Sequence, residues 1–251
     1  MIMRALLWGF CLPFLPICWL QGWYFKKKVR VLNPPPDEPS GSLGADASHP
    51  PLNIIGVGDS VIEGWGLCSF RDSVTALVGD GVAQATHRSI QWRALGRHGA
   101  KAHDIARMIQ VEETSSVDIA VVSVGVNDVV GLTSLLQWQR AIFQIVSQLR
   151  DRSPVKILFL GVPPMHRFDR IPQPLRGVLG IRAQMLDLVV KRSLAGLSFA
   201  RHVPLNPADL EGGMAIDGFH PSLLGHQAIA AAAVLSAHEL LHQFDLHTES
   251  H

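Results

Sequence analysis

Residues 52–60 read Leu-Asn-Ile-Ile-Gly-Val-Gly-Asp-Ser, an apolar run that ends in the tripeptide Gly58-Asp59-Ser60. An apolar run of this length, closed by a turn, is typical of a strand buried on both faces of a parallel sheet. Open α/β sheets carry their chemistry at the carboxyl ends of such strands, so the Ser60 hydroxyl is well placed for a site. Taken alone, the tripeptide is also consistent with an ordinary turn whose serine caps a helix.

Apolar runs and amphipathic stretches alternate along the rest of the chain. This alternation predicts an α/β fold, in which right-handed crossovers build a parallel sheet with helices on both faces. The predicted architecture is a flavodoxin-like three-layer α/β/α sandwich whose five parallel strands have the order 2-1-3-4-5. The predicted strands span residues 52–57, 90–95, 117–126, 155–160 and 202–205, and the predicted helices span residues 70–85, 102–112, 133–150, 175–197 and 222–242.

Two motifs beyond Ser60 supply the parts that an activated serine needs. A serine hydroxyl is a poor nucleophile at neutral pH and requires a base, which in turn requires an orienting group. An imidazole exchanges protons near neutral pH, so His220 is the candidate base. Asp217 precedes it by three residues, and one tight turn can hold carboxylate and imidazole together. The sequence therefore predicts a triad of Ser60, His220 and Asp217.

Attack on an acyl carbon also produces an oxyanion, and donors fixed around it usually supply the largest catalytic stabilisation. The side-chain amide of Asn127, after the strand predicted at residues 117–126, is one candidate donor. The backbone N–H of Gly99 is a second, because the missing side chain lets an oxygen approach. The backbone N–H of Ser60, at the start of a helix, is the third. Each residue is also consistent with a plain turn, but their convergence on one reaction favours catalysis.

Together these motifs resemble those of the SGNH hydrolases, also called the GDSL esterase/lipase family. The residues that carry the resemblance are Ser60, Gly99, Asn127 and His220, with Asp217 three residues before the histidine. It extends over residues 52–240, and its closest blocks are Gly-Asp-Ser at 58–60 and Asp-Gly-Phe-His-Pro at 217–221. The resemblance implies hydrolysis of carboxylic esters or thioesters through an acyl-serine intermediate, with no cofactor and no metal.

The natural substrate stays open, because lipases, lysophospholipases, arylesterases and acetylesterases share these motifs. The expected partner is a small-molecule or lipid ester. An acyltransferase or deacetylase acting on a lipid or glycan through the same triad is the main alternative, and an inactive membrane-tethered binding module is a weaker one. The proline-rich segment at residues 162–180 follows the fourth predicted strand, where it either forms an apolar wall or lid for an acyl chain or packs the top of the sheet.

Other functional classes find little support in the sequence. A formal net charge of +1 without a basic stripe predicts no nucleic-acid partner. Residues 238–242 read His-Glu-Leu-Leu-His, which matches a zinc-peptidase pattern, but the glycine of the extended motif is absent and His247 is out of register for a third ligand. We therefore predict no metal site. The three cysteines indicate no disulfide framework, and Cys68 is interpreted as a packing residue.

The N-terminus is predicted to be a membrane anchor. Residues 5–25 contain Gln21 as their only strongly polar side chain and can just cross a bilayer core of about 30 Å. Aromatic residues lie towards the ends of this segment. The expected cleavage zone, residues 21–25, reads Gln-Gly-Trp-Tyr-Phe and not the small residues of a signal-peptidase site. A cleaved signal peptide or a monotopic attachment is the alternative. The positive charges at residues 26–30 favour a cytoplasmic catalytic domain.

The chain therefore divides into four predicted parts. Residues 1–32 form the anchor with its basic flank, and residues 33–51, rich in Pro, Gly, Ser and acidic residues, form an extended linker. Residues 52–245 form the catalytic domain, and residues 246–251 form a disordered tail.

Overall fold

A computed structural model describes residues 8–9, 11–28, 31–44, 49–111, 116–206 and 211–248. Its strands are β1 (Ser40–Leu43), β2 (Leu52–Gly58), β3 (Ile90–Gly96), β4 (Ile119–Ser123), β5 (Lys156–Leu160) and β6 (Ala200–Val203). Its α-helices are α1 (Leu15–Lys28), α2 (Val74–Thr86), α3 (Ala102–Val111), α4 (Val126–Val130), α5 (Leu135–Arg152), α6 (Leu175–Leu194) and α7 (Leu223–Thr248). Short 3-10 helices occupy Leu12–Phe14, Phe70–Asp72 and Met165–Arg167.

The strands of the described residues form one six-stranded sheet in the order β1-β3-β2-β4-β5-β6. The α/β class is confirmed, but the prediction of a five-stranded, wholly parallel sheet is wrong. β1 pairs antiparallel with β3, from Ser40 opposite Arg93 to Leu43 opposite Ile90, whereas the other neighbouring strands are parallel. β1, the strand additional to the five predicted ones, reads Ser-Gly-Ser-Leu and lies within the predicted linker. Its sequence has neither the alternation nor the β-branched residues that are typical of a strand.

Helices cover both faces of the sheet because successive residues of each central strand point to opposite sides. In β2, Ile54 belongs to the apolar cluster formed with α2 and α7, while Ile55 belongs to the cluster formed with α3, α5 and α6. Both side chains are at most 2% exposed. Burial on both faces explains why β2 reads as a nearly continuous apolar run.

The N-terminal segment forms a helix shorter than predicted. α1 has 14 residues, which corresponds to about 21 Å at ~1.5 Å per residue. Residues 1–7, 10 and 29–30, which belong to the predicted anchor and its basic flank, lie outside the described part of the chain. Where the chain is described, no helix is both long and apolar enough to cross a membrane. The predicted transmembrane anchor is therefore not supported.

The end of the third predicted strand also needs correction, because it determines where Asn127 lies. The strand predicted at residues 117–126 ends as β4 at Ser123, and the short helix α4 begins at Val126. Gly125 lies between them with φ +137°, a value that L side chains rarely adopt. Asn127 consequently lies in the first turn of a helix and not on a strand end.

Candidate active site

Ser60 lies two residues beyond β2, between two neighbouring strands whose following loops carry the other predicted residues. Gly58 is opposite Gly96 of β3 on one side and Ser123 of β4 on the other. A Cβ on Gly58 would come within 2.1 Å of the Ser123 carbonyl oxygen, so the chain needs glycine there. Because β2 is flanked by β3 and β4, the loops that hold Gly99 and Asn127 leave the sheet on either side of Ser60.

The structure joins Ser60, His220 and Asp217 in a chain of hydrogen-bonding contacts. His220 Nε2 lies 3.0 Å from Ser60 Oγ, and His220 Nδ1 lies 2.5 Å from Asp217 Oδ2. The second carboxylate oxygen, Oδ1, accepts hydrogen bonds from the backbone N–H groups of Phe219 and His220 at 2.9 and 3.0 Å. The side chains of Ser60, His220 and Asp217 are all buried, and each residue is at most 8% exposed.

A tight turn holds the carboxylate and imidazole in register. Gly218, at φ +68°, donates its N–H to the Ala215 carbonyl at 2.8 Å, and Ala215 donates to the His220 carbonyl at 2.8 Å. A Cβ on Gly218 would also lie 2.3 Å from Cδ of Arg170. Both the backbone angle and the space therefore require glycine between Asp217 and His220.

The Asp217 carboxylate is stabilised in its charged form. Burial by itself would raise its pKa, but hydrogen bonds from the His220 ring and from the N–H groups of Phe219 and His220 outweigh that effect and hold the pKa below its usual value. A charged Asp217 favours a proton on Nδ1 of His220, which leaves Nε2 free to accept one from Ser60.

The predicted oxyanion residues are linked to each other by the loop after β3. Asn127 Nδ2 donates to the Ala100 carbonyl at 3.0 Å, and Arg97 N–H donates to the Gly58 carbonyl at 3.0 Å. Gly99 between them is exposed and has φ +75°, with open space where a Cβ would be. Glycine is therefore required at residue 99 by the backbone angle and not by crowding.

Asp128 reinforces this connection, although sequence reasoning assigned it no role. Its Oδ2 accepts the Ala102 N–H at 2.9 Å, so the neighbouring side chains of Asn127 and Asp128 both bind the segment after Gly99. Asp128 is fully buried, and burial raises its pKa. We term these two hydrogen bonds the loop clamp.

A second buried carboxyl, Asp59, lies beside the serine. Its Oδ1 accepts the Val61 N–H at 3.2 Å and the residue is 2% exposed. Burial, and to a smaller extent the neighbouring Asp128, raise the pKa of Asp59 to about 7, whereas the Val61 N–H and His220 act in the opposite direction.

The sequence motifs also did not predict two aromatic contacts beside His220. Trp65 stacks on His98 with ring centroids 3.8 Å apart, and each ring lies 5.8 Å from the ring of His220. Glu63 Oε2 accepts hydrogen bonds from Trp65 Nε1 and from the His98 N–H. An aromatic residue in an irregular loop belongs to no periodic pattern. The only sequence signal for a role of Trp65 at the site is its position five residues after Ser60.

The proline-rich segment predicted to border the site contacts the Asp217–His220 turn. The Phe168 ring meets the Phe219 ring edge-on at 5.9 Å, and Phe219 in turn lies 5.6 Å from the ring of His220. Phe168 is 5% exposed. Its role as a wall or lid for substrate stays a prediction.

For the residues with described side chains, no group of three His, Cys, Asp or Glu could hold a metal ion. The zinc-like pattern at residues 238–242 falls in α7, and the side chains of residues 241–248 lie outside the described set.

Comparison with known proteins identifies the family of the chain. The sequence model of the GDSL-like Lipase/Acylhydrolase family matches residues 57–228. A GDSL-like esterase of Mycobacterium tuberculosis is 24% identical over 198 residues, which cover 76% of this chain and 63% of that protein, so the chain spans less than two thirds of its relative's length.

Solved structures show the same fold at low identity. The lipase/acylhydrolase of Enterococcus faecalis matches with a TM-score of 0.58 and 18% identity, over 74% of this chain and 94% of that one. A lipolytic G-D-S-L family protein of Veillonella parvula matches with a TM-score of 0.57 and 12% identity, over 73% and 97% of the two chains.

Proposed function

We propose that this chain, which belongs to the GDSL-like lipase/acylhydrolase family, hydrolyses carboxylic esters through an acyl intermediate on Ser60. The observation that carries the proposal is the chain of contacts from Ser60 Oγ through His220 to Asp217. A serine within hydrogen-bond reach of an imidazole that is itself oriented by a carboxylate is the arrangement that activates a hydroxyl nucleophile.

In the acylation step, Ser60 Oγ attacks the ester carbonyl carbon while its proton passes to Nε2 of His220. The tetrahedral intermediate then collapses, and the departing alkoxide leaves as an alcohol with the proton from His220. Asp217 orients the ring and stabilises the imidazolium that forms in between. In deacylation, His220 takes a proton from water, the hydroxide attacks the acyl carbon, and Ser60 regains its proton as the acid is released.

The negative charge of each tetrahedral intermediate would be held by three donors: the backbone N–H of Ser60, the backbone N–H of Gly99 and the side-chain amide of Asn127. An amide nitrogen carries two hydrogens, and the bond to the Ala100 carbonyl uses one of them. The second hydrogen would serve the oxyanion, and the same bond would hold the amide in place before substrate arrives.

The Phe168–Phe219 contact supports an apolar boundary for part of the substrate, because both rings lie on the His220 side of the site. Acyl chain length is therefore the property to vary. A screen of p-nitrophenyl esters from acetyl to palmitoyl, with Ser60→Ala as the matched inactive control, tests the proposal. We expect release of p-nitrophenol by the native chain alone.

An acceptor alcohol in the same assay separates hydrolysis from acyl transfer. If the chain is an esterase, the free acid is the main product with and without the alcohol. A new ester as the main product would identify an acyltransferase that uses the same triad. Equal turnover by Ser60→Ala would contradict both.

A further inference from the structure

Within the described part of the chain, helix α1 packs on the rest of the protein with one of its sides. Leu15, Cys18 and Phe25 contact the apolar cluster formed with α3, α5 and α6, and Cys18 is 5% exposed. Gln21 fixes the helix at the start of α6, donating from Nε2 to the Gln173 carbonyl at 2.7 Å and accepting the Leu175 N–H on Oε1 at 3.2 Å.

The opposite side of α1 is also apolar, yet it is exposed. A helix that is apolar all round is normally covered all round, and a contiguous exposed apolar patch marks an interaction site. We call this side the outer face of α1. Its large side chains are Ile17, Trp19, Leu20, Trp23 and Tyr24, with exposed fractions between 49% and 73%, and Phe14 precedes them at 48%.

The charges beside this face indicate what covers it. Lys27 Nζ lies 3.7 Å from the centroid of the Trp23 ring, and Lys28 Nζ lies 4.4 Å from that of Tyr24. Both lysines are exposed, and the segment continues to Arg30 without an acidic residue. Trp and Tyr rings prefer the level of lipid headgroups, and adjacent lysines attract anionic headgroups.

The attachments of α1 connect the helix to segments that border the candidate site. Gln21 binds the beginning of α6, directly after the segment whose Phe168 contacts Phe219. After the helix, the chain returns along the Ser60 loop, where the Asn33 carbonyl accepts the Gly66 N–H at 3.3 Å. The middle of α1 and the chain five residues beyond its end are therefore tied to segments that border the triad.

We infer that the outer face of α1 lies in the headgroup region of an anionic lipid bilayer and holds the candidate active site beside that surface. The helix lies along the surface and does not cross it, with its inner side remaining on the protein. This inference concerns binding and does not rest on the proposed esterase activity.

Flotation of the full chain with lipid vesicles tests the inference. We expect the protein to float with vesicles that contain phosphatidylglycerol and to bind pure phosphatidylcholine more weakly. Replacing both lysines, in Lys27→Gln with Lys28→Gln, should weaken binding to the anionic vesicles by about 25-fold, at about fivefold for each charge. Trp19→Gln with Trp23→Gln should weaken binding to either vesicle by about tenfold or more.

A matched control removes apolar side chains of similar exposure elsewhere. Phe143 on α5 and Leu235 on α7 are 52% and 68% exposed, and Phe143→Gln with Leu235→Gln should float like the native protein. All variants should retain native far-UV circular dichroism, and Ser60→Ala should float normally, so that loss of catalysis and loss of binding are read separately.

Three results would overturn the inference. The first is a native chain that does not float with anionic vesicles. If sedimentation then shows a dimer that Trp19→Gln with Trp23→Gln dissociates, the outer face binds a second copy. Binding that ignores headgroup charge and resists alkaline extraction would contradict attachment along the surface. Equal loss of binding in the Phe143 and Leu235 control would show that α1 has no special part.

Discussion

The carboxyl edge of the sheet around Ser60 and the helix α1 are built in opposite ways. At the sheet edge, the polar side chains of Ser60, Asp217 and His220 are buried and bound to one another, within 2.5 to 3.0 Å. On α1, large apolar side chains are exposed, and Gln21 supplies the hydrogen bonds to α6.

The difference separates two kinds of function in one chain. A buried, mutually satisfied polar group can be displaced only at a cost, so the sheet edge is organised before substrate arrives. An exposed apolar face gains free energy only when something covers it. Substitutions at the sheet edge should therefore change chemistry, and substitutions on α1 should change what the protein binds.

The largest effect is expected from the base of the triad. His220→Ala removes the group that accepts the Ser60 proton, and kcat for p-nitrophenyl acetate should fall by about 10⁵-fold or more. Asp217→Asn keeps the base but disturbs its tautomer, so a smaller loss of about 10³- to 10⁴-fold is expected. Circular dichroism should show both variants folded. If His220→Ala kept a tenth of the native kcat, His220 could not be the base that accepts the Ser60 proton.

A smaller loss is expected at the oxyanion donor. Asn127→Ala should lower kcat by about 10² to 10³, with a smaller change in KM, because the amide acts on charge that develops in the transition state. Single-turnover kinetics on the same ester measures this directly.

The loop clamp provides the control for that experiment, since Asn127 both donates to Ala100 and faces the proposed oxyanion. Asp128→Ala removes the bond to the Ala102 N–H and the hydrogen bond with the Thr133 side chain, but it leaves the three proposed oxyanion donors in place. We expect it to lower kcat by no more than about tenfold, although it also lowers stability. A loss in Asp128→Ala as large as in Asn127→Ala would show that Asn127 acts only by holding the loop.

Some of the features behind these predictions can be recognised in the sequence, and others cannot. The apolar run before Ser60 and the three-residue spacing of Asp217 and His220 are local patterns, and the structure brings those residues together as predicted. Adjacency of β3, β2 and β4 could also be expected from the βαβ pattern, which places Gly99 and Asn127 on either side of Ser60.

Other features could not be predicted because tertiary contacts determine them. β1 is a Ser-Gly-Ser-Leu segment whose pairing depends on the free edge of β3. The valines on both sides of Gly125 extend the apolar pattern of β4. The sequence pattern therefore predicted a strand up to residue 126, where the structure has the start of α4. The Trp65–His98 stack joins two loops that are far apart in sequence.

The sheet edge should also respond to pH through Asp59. Its folded pKa is about 7 and its unfolded pKa is about 3.9, so the folded state binds more protons between those values. The contribution of Asp59 to stability therefore falls as pH rises from about 4 to about 7, by an amount on the order of 2 to 4 kcal/mol. Buried His226, whose pKa is lowered to about 3, acts in the opposite direction over part of this range. Asp59→Asn should remove this contribution, which is measured as the difference in urea unfolding free energy between the native chain and the variant across that pH range. An unchanged pH slope would show that Asp59 ionises normally.

The smallest effect on catalysis is expected from α1. Gln21→Ala removes the hydrogen bonds to the Gln173 carbonyl and to the Leu175 N–H and should lower Tm by about 2 to 4 °C. The value of kcat/KM for p-nitrophenyl acetate should stay within about twofold. Gln144→Ala, on the exposed side of α5, is the matched control and should change neither. A tenfold loss of kcat/KM in Gln21→Ala would show that α1 contributes to catalysis and is not functionally separate from the sheet edge around Ser60.

Covalent labelling tests the central claim most directly. A fluorophosphonate reacts with a serine only where a base activates the hydroxyl, so the native chain should be labelled once, on Ser60, as read by peptide mass spectrometry. Ser60→Ala should take up no label, and His220→Ala should react far more slowly while remaining folded. Label on another residue, or none on a folded native chain, would contradict Ser60 as the nucleophile.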